Sequence, residues 1–333
     1  MSRRLLLLAT GGTIAGQASD PTRLNDYTAG VMAGDALLAA VPQLQDLATI
    51  SVEQVANVDS ADLLFEHWRA LLARIRSAFA ADPELAGVVI THGTNTLEET
   101  AWLLELLIDD LRPVVLVGAM RPATALSADG PLNLLQAVQV AVSAKARGHG
   151  VLVVMDGQIH GAQRITKVAT QGVGAFASPG SGPLGWVDDI GVHLPMASGS
   201  QQVPFAELAL PEQGPQVPIF YGCVEPEPFL LAACLNAGVP GLVFTGTGAG
   251  QLSVGERSVL EAWRGKRPLM LRANRCGSGP VHHHHEDERL GLLPAGRLNP
   301  QKARVLLMLA LIAGLDRGVL AELVSATPLI STP

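Results

Sequence analysis

LLLLATGGTIAG (residues 5–16) and ITHGTNTLEETAWLL (residues 90–104) decide the fold. Each opens with an apolar run of strand length, and each run breaks abruptly into glycine and threonine. In the second stretch, Thr96 followed three residues later by Glu99 has the form of a capping box, which predicts a helix from Leu97. Strand, loop and helix in that order mark a parallel α/β sheet, whose ligands bind where the carboxyl ends of strands open into a crevice. The hydroxyls of Thr13 and Thr94 are therefore expected in one crevice, a placement suited to nucleophilic chemistry.

The same alternation runs through the first two-thirds of the chain. Strands are predicted at 4–9, 87–91, 113–119 and 150–155, and helices at 61–80, 97–109 and 131–147. Within 97–109, Leu97, Ala101, Leu104 and Ile108 share a helical face that Leu103 and Leu107 widen, so this helix is expected to be well covered. From about Ser178 to Gln216 the pattern dissolves into glycine, proline, serine and glutamine. Alternation then resumes with strands predicted at 217–222, 241–245 and 268–272. The expected architecture is α/β in two domains. A larger amino-terminal parallel-sheet domain (1–190) has flavodoxin- or Rossmann-like layering, a linker spans 191–216, and a smaller α/β domain spans 217–333.

The 333 residues give ample length for two cores, and with 48% apolar but only 4% aromatic residues those cores must be aliphatic. A net charge of -7 argues against nucleic acid as a partner. Lysine occurs only at 145, 167, 266 and 302 in a chain that otherwise uses arginine, which makes Lys167 a candidate titratable amine. The odd set Cys223, Cys234 and Cys276 lacks metal-ligand spacing and reads as small buried thiols in a reduced, cytosolic protein. MSRRLLLLATGG has the arginines and leucines of a signal peptide, but its apolar run is too short, and it reads as the first strand. No stretch is long and apolar enough to span a membrane.

ATGGTIAG (9–16), THGTNT (91–96), VGAMRPATALSADGPLNL (117–134), VLVVMDGQIHGAQRITK (151–167) and LNPQKARVLLMLAL (298–311) stand in this order along the chain. Together they resemble the signature blocks of the bacterial L-asparaginases, the threonine amidohydrolases, and they cover essentially the whole length. The resemblance implies hydrolysis of asparagine to aspartate and ammonia through a threonyl acyl-enzyme. Thr13 would be the nucleophile, assisted by Tyr27 from a loop that closes over substrate. Thr94 and Lys167 would form the second catalytic pair, with a lysine kept neutral by burial drawing a proton from Thr94 or from the hydrolytic water. In VDSADL (58–63), Ser60 would bind the substrate α-carboxylate and Asp59 its backbone, the D-S pair being similar to the cytosolic, type I branch. Ser60 also reads as a cap for the helix predicted at 61–80. The resemblance further implies a homotetramer of close dimers, a small amide substrate, no cofactor, no metal, and neither a nucleic-acid nor a membrane partner.

Two departures bear on substrate. The family has aspartate where this chain has Asn95, so a charged grip on the substrate ammonium is lost; such a bond is worth about 1.5–3 kcal/mol. The asparagine that the family's neighbouring subunit supplies falls on Ala249, and that subunit's acidic residue falls on Glu286, with Glu288 next. The alternatives are hydrolysis of another small amide (glutamine, D-asparagine or an N-substituted asparagine), or a catalytically impaired amino-acid-binding protein. His282 to His285, followed by Glu286, Asp287 and Glu288, are ligand types, but adjacent loop histidines more often form a solvated or intersubunit surface. Glycines at 11, 12 and 16 do not fit the dinucleotide fingerprint.

Overall fold

The computed structural model describes residues 3–195 and 203–326, and the chain divides into two compact units that meet between Glu207 and Leu208. The first unit is built on an eight-stranded sheet. Its strands are β1 (Arg4–Gly11), β2 (Thr49–Val58), β3 (Leu85–Thr91), β4 (Val114–Val117), β5 (Val151–Met155), β6 (Gln158–Gly161), β9 (Gly185–Asp188) and β10 (Gly191–His193). A separate antiparallel pair, β7 (Thr166–Lys167) and β8 (Phe176–Ala177), lies between β6 and β9 in the chain. The sheet order is β10-β9-β6-β5-β4-β3-β1-β2. β2, β1, β3, β4 and β5 run parallel, and the last three strands continue the sheet antiparallel.

Both faces of this sheet are covered, as its continuous apolar strands require. Leu5 and Leu7 pack in one cluster with Leu37 of α1 (Gly34–Ala39), Leu44 of α2 (Leu44–Leu47) and Leu134 of α5 (Gly130–Ala141). Leu6 and Leu8 point the other way on the alternating pleat and are equally buried. Helices α3 (Phe65–Ala81) and α4 (Leu97–Glu105) also pack on the sheet. Leu97, Ala101, Leu103 and Leu104 are fully buried, as the helical face in the sequence requires; α4 ends at Glu105, short of the expected 109, and Leu107 beyond it is fully buried as well.

The second unit has a four-stranded, all-parallel sheet ordered β11 (Ile219–Tyr221), β12 (Gly241–Gly246), β13 (Leu269–Asn274) and β14 (Leu292–Pro294). Leu231 of α6 (Pro228–Asn236), Leu260 of α7 (Val254–Ala262) and Leu290 of α8 (Asp287–Leu290) share its core with Leu242 and Phe244. Helix α9 (Pro300–Ile312) packs on β12 and β13, and α10 (Arg317–Ala326) ends the described chain.

Several elements depart from expectation. Residues 191–193, read as the start of the linker, form β10, and the irregular stretch from Ser178 contains β9; residues 196–202 lie outside the described residues. β2 and β14 were not anticipated. Helix α3 starts at Phe65, not at 61, because Ser60–Asp62 form a 3-10 turn capped by Asp59, whose carboxylate accepts from Ala61 N at 2.8 Å. Cys223 and Cys276 are exposed, not buried, since both lie in loops after strand ends.

Candidate active site

β1 and β3 are neighbours, with Ala9 opposite Thr91. From β1 the chain goes to β2 on one side, while β3 leads to β4 and β5 on the other. The gap between their carboxyl ends is therefore the topological switch point of the sheet, where such folds bind ligands. β1 runs into the 3-10 turn Thr13–Ala15, and β3 runs into the loop before α4 that carries Thr94. The two loops touch: a Cβ on Gly12 would lie 2.3 Å from Gly93 Cα, and Gly12 has φ 78°, so glycine is required there twice over. Thr10 Oγ1 adds a bond to Thr91 O at 2.9 Å.

Thr13 is buried and its Oγ1 lies 2.6 Å from the hydroxyl of Tyr27. The residues between them fold back on β1's loop, with Gln17 and Thr28 forming a two-way bridge and Gly30 N donating to Gly12 O at 3.1 Å. Gly16 leaves room for the Tyr27 ring, since a Cβ there would lie 2.8 Å from Cδ2. This hydroxyl–hydroxyl contact is a candidate path for a proton leaving Thr13.

On the other loop, Lys167 Nζ donates to Thr94 Oγ1 at 2.9 Å and to Asn95 Oδ1 at 3.3 Å. The opposite end of that amide, Asn95 Nδ2, donates to Asp59 Oδ1 at 3.0 Å. Burial holds the Lys167 ammonium below the ordinary lysine range, against a smaller upward pull from the Asp59 charge. Ser60 Oγ accepts from Asn95 N at 3.1 Å and Thr96 N at 3.4 Å, so it fastens β2's loop to β3's loop and does not cap a helix. Thr96 occupies the N-cap of α4, but the expected capping box does not form: its hydroxyl donates instead to Ser60 O at 2.7 Å. Thr13, Tyr27, Asp59, Ser60, Thr94, Asn95 and Lys167 all belong to the first unit.

Sequence reasoning missed Glu98. This buried carboxylate in α4's first turn accepts from Thr166 Oγ1 at 2.9 Å and from Lys167 N at 3.4 Å, so it seats the strand that bears the lysine. Its signal was an acidic residue inside an otherwise apolar helix face.

Glu286 belongs to the second unit, where its carboxylate meets Arg289 at 2.7 Å and Arg257 at 4.0 Å. The histidine tract is organised by Asp287, which is buried, accepts from His284 N at 2.7 Å and pairs with buried Arg272 through two bonds of 2.8 and 2.9 Å. Arg272 also reaches Ala249 O at 3.0 Å and His282 O at 2.9 Å, tying both loops to β13. Among the described residues, no group of three or more His, Cys, Asp or Glu side chains is placed to hold a metal ion. No helix among them is long and apolar enough to cross a membrane.

Known proteins resemble this chain along most of its length. Residues 4–198 match the family model described as "Asparaginase, N-terminal", and residues 216–323 match "Glutaminase/Asparaginase C-terminal domain". The chain is 40% identical over 306 residues to L-asparaginase 2 of Bacillus subtilis, covering 92% of this chain and 81% of that one. It is 38% identical to Glutaminase-asparaginase of Acinetobacter glutaminasificans, covering 92% and 94%. The crystal structure of the probable cytoplasmic L-asparaginase from Campylobacter jejuni superimposes with a TM-score of 0.92 at 40% identity, covering 97% of this chain and 99% of that one. Two threonine loops meeting at a switch point, in a chain matched along its length by both family models, make this protein a member of the asparaginase family of amidohydrolases.

Proposed function

We propose that the chain hydrolyses the side-chain amide of L-asparagine to L-aspartate and ammonia through a threonyl acyl-enzyme. One observation carries this reading: two hydroxyl centres, Thr13 with Tyr27 and Thr94 with Lys167, on glycine loops packed against each other at one switch point. Thr13 Oγ1 attacks the amide carbon while Tyr27 takes up its proton and passes its own phenolic proton on to the leaving nitrogen. The C–N bond breaks, ammonia leaves, and an ester remains on Thr13. Water then attacks the ester, giving its proton through Thr94 to a neutral Lys167; the ester C–O bond breaks, Thr13 Oγ1 regains a proton through Tyr27, aspartate is released, and Lys167 returns its proton to solvent. Burial shifts Lys167 toward its neutral form, against a smaller opposing pull from Asp59.

Asp59 supplies the negative charge for the substrate ammonium, since the amide of Asn95 has none. The Ser60 hydroxyl accepts two backbone N–H groups, which leaves its own proton to donate to the substrate carboxylate. Glu286 completes a neighbouring subunit's site in a homotetramer of close dimers, and the protein works in the cytoplasm. The D-S pair at Asp59 and Ser60 and the likeness to the Campylobacter jejuni structure support that location.

Asn95 favours a second reading, in which the preferred substrate is another small amide altered at its amino end, such as an N-substituted asparagine, or turnover is impaired. Ammonia release over L-asparagine, L-glutamine, D-asparagine and an N-substituted asparagine separates these readings. L-asparagine is expected to be turned over fastest, with Thr13→Ala at least about a thousandfold slower. Binding of asparagine without turnover would overturn the proposal.

A further inference from the structure

Behind the Thr94 loop lies a buried polar chain that the roles above leave unused. Trp68 of α3 donates its indole N–H to Thr100 Oγ1 at 2.8 Å. Thr100 Oγ1 lies 2.9 Å from His92 Nε2, and His92 Nδ1 lies 2.7 Å from Gly93 O. His92 and Thr100 have no exposed surface, and Trp68 is nearly as buried.

The direction of each bond follows from the chemistry of its ends. An indole N–H only donates, and a carbonyl only accepts. Gly93 O therefore requires the hydrogen on Nδ1, and in a neutral ring Nε2 is then bare and takes the hydroxyl proton of Thr100, which itself accepts from the indole N–H. A protonated ring would aim a second donor at Thr100 and strand the hydroxyl proton in a dry interior. Desolvation acts in the same sense, holding His92 down to about 4 against the opposing pull of the Gly93 carbonyl.

The chain ends on the peptide that joins Gly93 to Thr94. No peptide among the described residues is cis, so the carbonyl and N–H of this one point to opposite sides. Holding the carbonyl against the buried ring turns the Thr94 N–H away from it. Gly93 is also wedged by its neighbours, since a Cβ there would lie 2.6 Å from Ser60 Oγ.

We propose that His92, held by Thr100 and Trp68, is a positioning residue that fixes the Gly93–Thr94 peptide. It keeps the Thr94 hydroxyl on Lys167 and aims the Thr94 N–H at the oxyanion of the acyl-transfer steps. This role rests on the asparaginase reading of the site. A mis-set donor of this kind costs rate more than binding, because the oxyanion exists only along the reaction path.

Two measurements on the full chain test it. Nitrogen-15 NMR of the histidine rings, with His92 assigned by its absence from His92→Asn, reads the tautomer without reference to activity. A neutral ring with hydrogen on Nδ1 is expected across about pH 5.5–8, the range in which an ordinary histidine titrates. Titration within that range, or hydrogen on Nε2, overturns the chain of bonds and leaves the asparaginase reading standing. In kinetics, His92→Leu removes the donor to Gly93 O and is expected to lower kcat about 30- to 100-fold with KM changed less than about threefold. His92→Asn, whose amide nitrogen takes the place of Nδ1, is expected to recover most of that loss. Thr100→Val is expected to lower kcat about tenfold, and Thr100→Ser to leave it near the original value. A His92→Leu protein with unaltered kcat, or an equal loss in His92→Asn, overturns the proposal. Should His92→Leu not fold, the Thr100 pair and the NMR decide it. A starting protein that releases ammonia from no amide refutes the underlying function, a result the ring spectrum cannot mimic.

Discussion

Asn95 has both ends of its amide engaged, with Oδ1 toward Lys167 and Nδ2 toward Asp59. It therefore stands as a neutral spacer between a cation and an anion, and the Lys167 ammonium rests on a hydroxyl and an amide oxygen. Asn95→Asp would put a negative charge about where Oδ1 now sits, and an opposite charge at that range raises a lysine's pKa. A neutral lysine accepts the proton, so rate climbs with pH as Lys167 is deprotonated. The acidic limb of the kcat profile should accordingly move to higher pH in Asn95→Asp; superimposable limbs would remove Lys167 from the role of base. The same substitution restores a charged partner for the substrate ammonium, and KM for L-asparagine is expected to fall about tenfold. Tyr27→Phe makes a companion test, because it keeps the ring over Gly16 and removes only the hydroxyl. kcat is expected to drop about a hundredfold or more with little change in KM. If kcat holds, the 2.6 Å contact to Thr13 has no part in the chemistry.

The decisive elements are loops whose backbones meet with no side chain between them. Gly12→Ala adds a Cβ to a left-handed position where Gly93 lies 2.3 Å away. Strain and overlap together should cost about 2–4 kcal/mol, with activity lost because Thr13 and Thr94 are pushed apart. Near-normal kcat in Gly12→Ala, read beside its denaturant midpoint, would mean that the loops are not held this closely. The strands beneath these loops were legible because β1, β3, β4 and β5 are buried on both faces and read as unbroken apolar runs. β2 was not, since TISVEQVANV lies at the sheet edge, half-exposed, and mixes polar with apolar residues. β9 and β10 hid among glycines and prolines, where three or four residues leave no period to detect. The site divided in the same way. Threonines after strands announce themselves, whereas the bond from Asn95 to Asp59 and the donation of Thr96 to Ser60 join residues 36 apart in sequence, and no local pattern encodes them.

Each of the two units is built on its own sheet, and every residue of the candidate site but one rises from the first unit. The exception, Glu286, is held firmly in the second unit: it follows the histidine tract, beside Asp287, whose pair with Arg272 anchors that loop to β13. Its proposed role can be played in its own chain's site or in a neighbour's, and a hybrid oligomer separates the two. Glu286→Gln alone is expected to raise KM tenfold to a hundredfold, the usual loss for a charge-assisted bond, while Thr13→Ala alone abolishes turnover. In a dimer holding one chain of each kind, purified through two different tags, trans service produces one site with native Thr13 and a native Glu286 from the partner. That hybrid should therefore recover the original KM at reduced kcat per dimer. If Glu286 serves its own chain, the sole site with Thr13 also carries the substitution, and KM stays raised. The KM of the hybrid, not its rate, thus decides whether the chain works alone or only as an assembly.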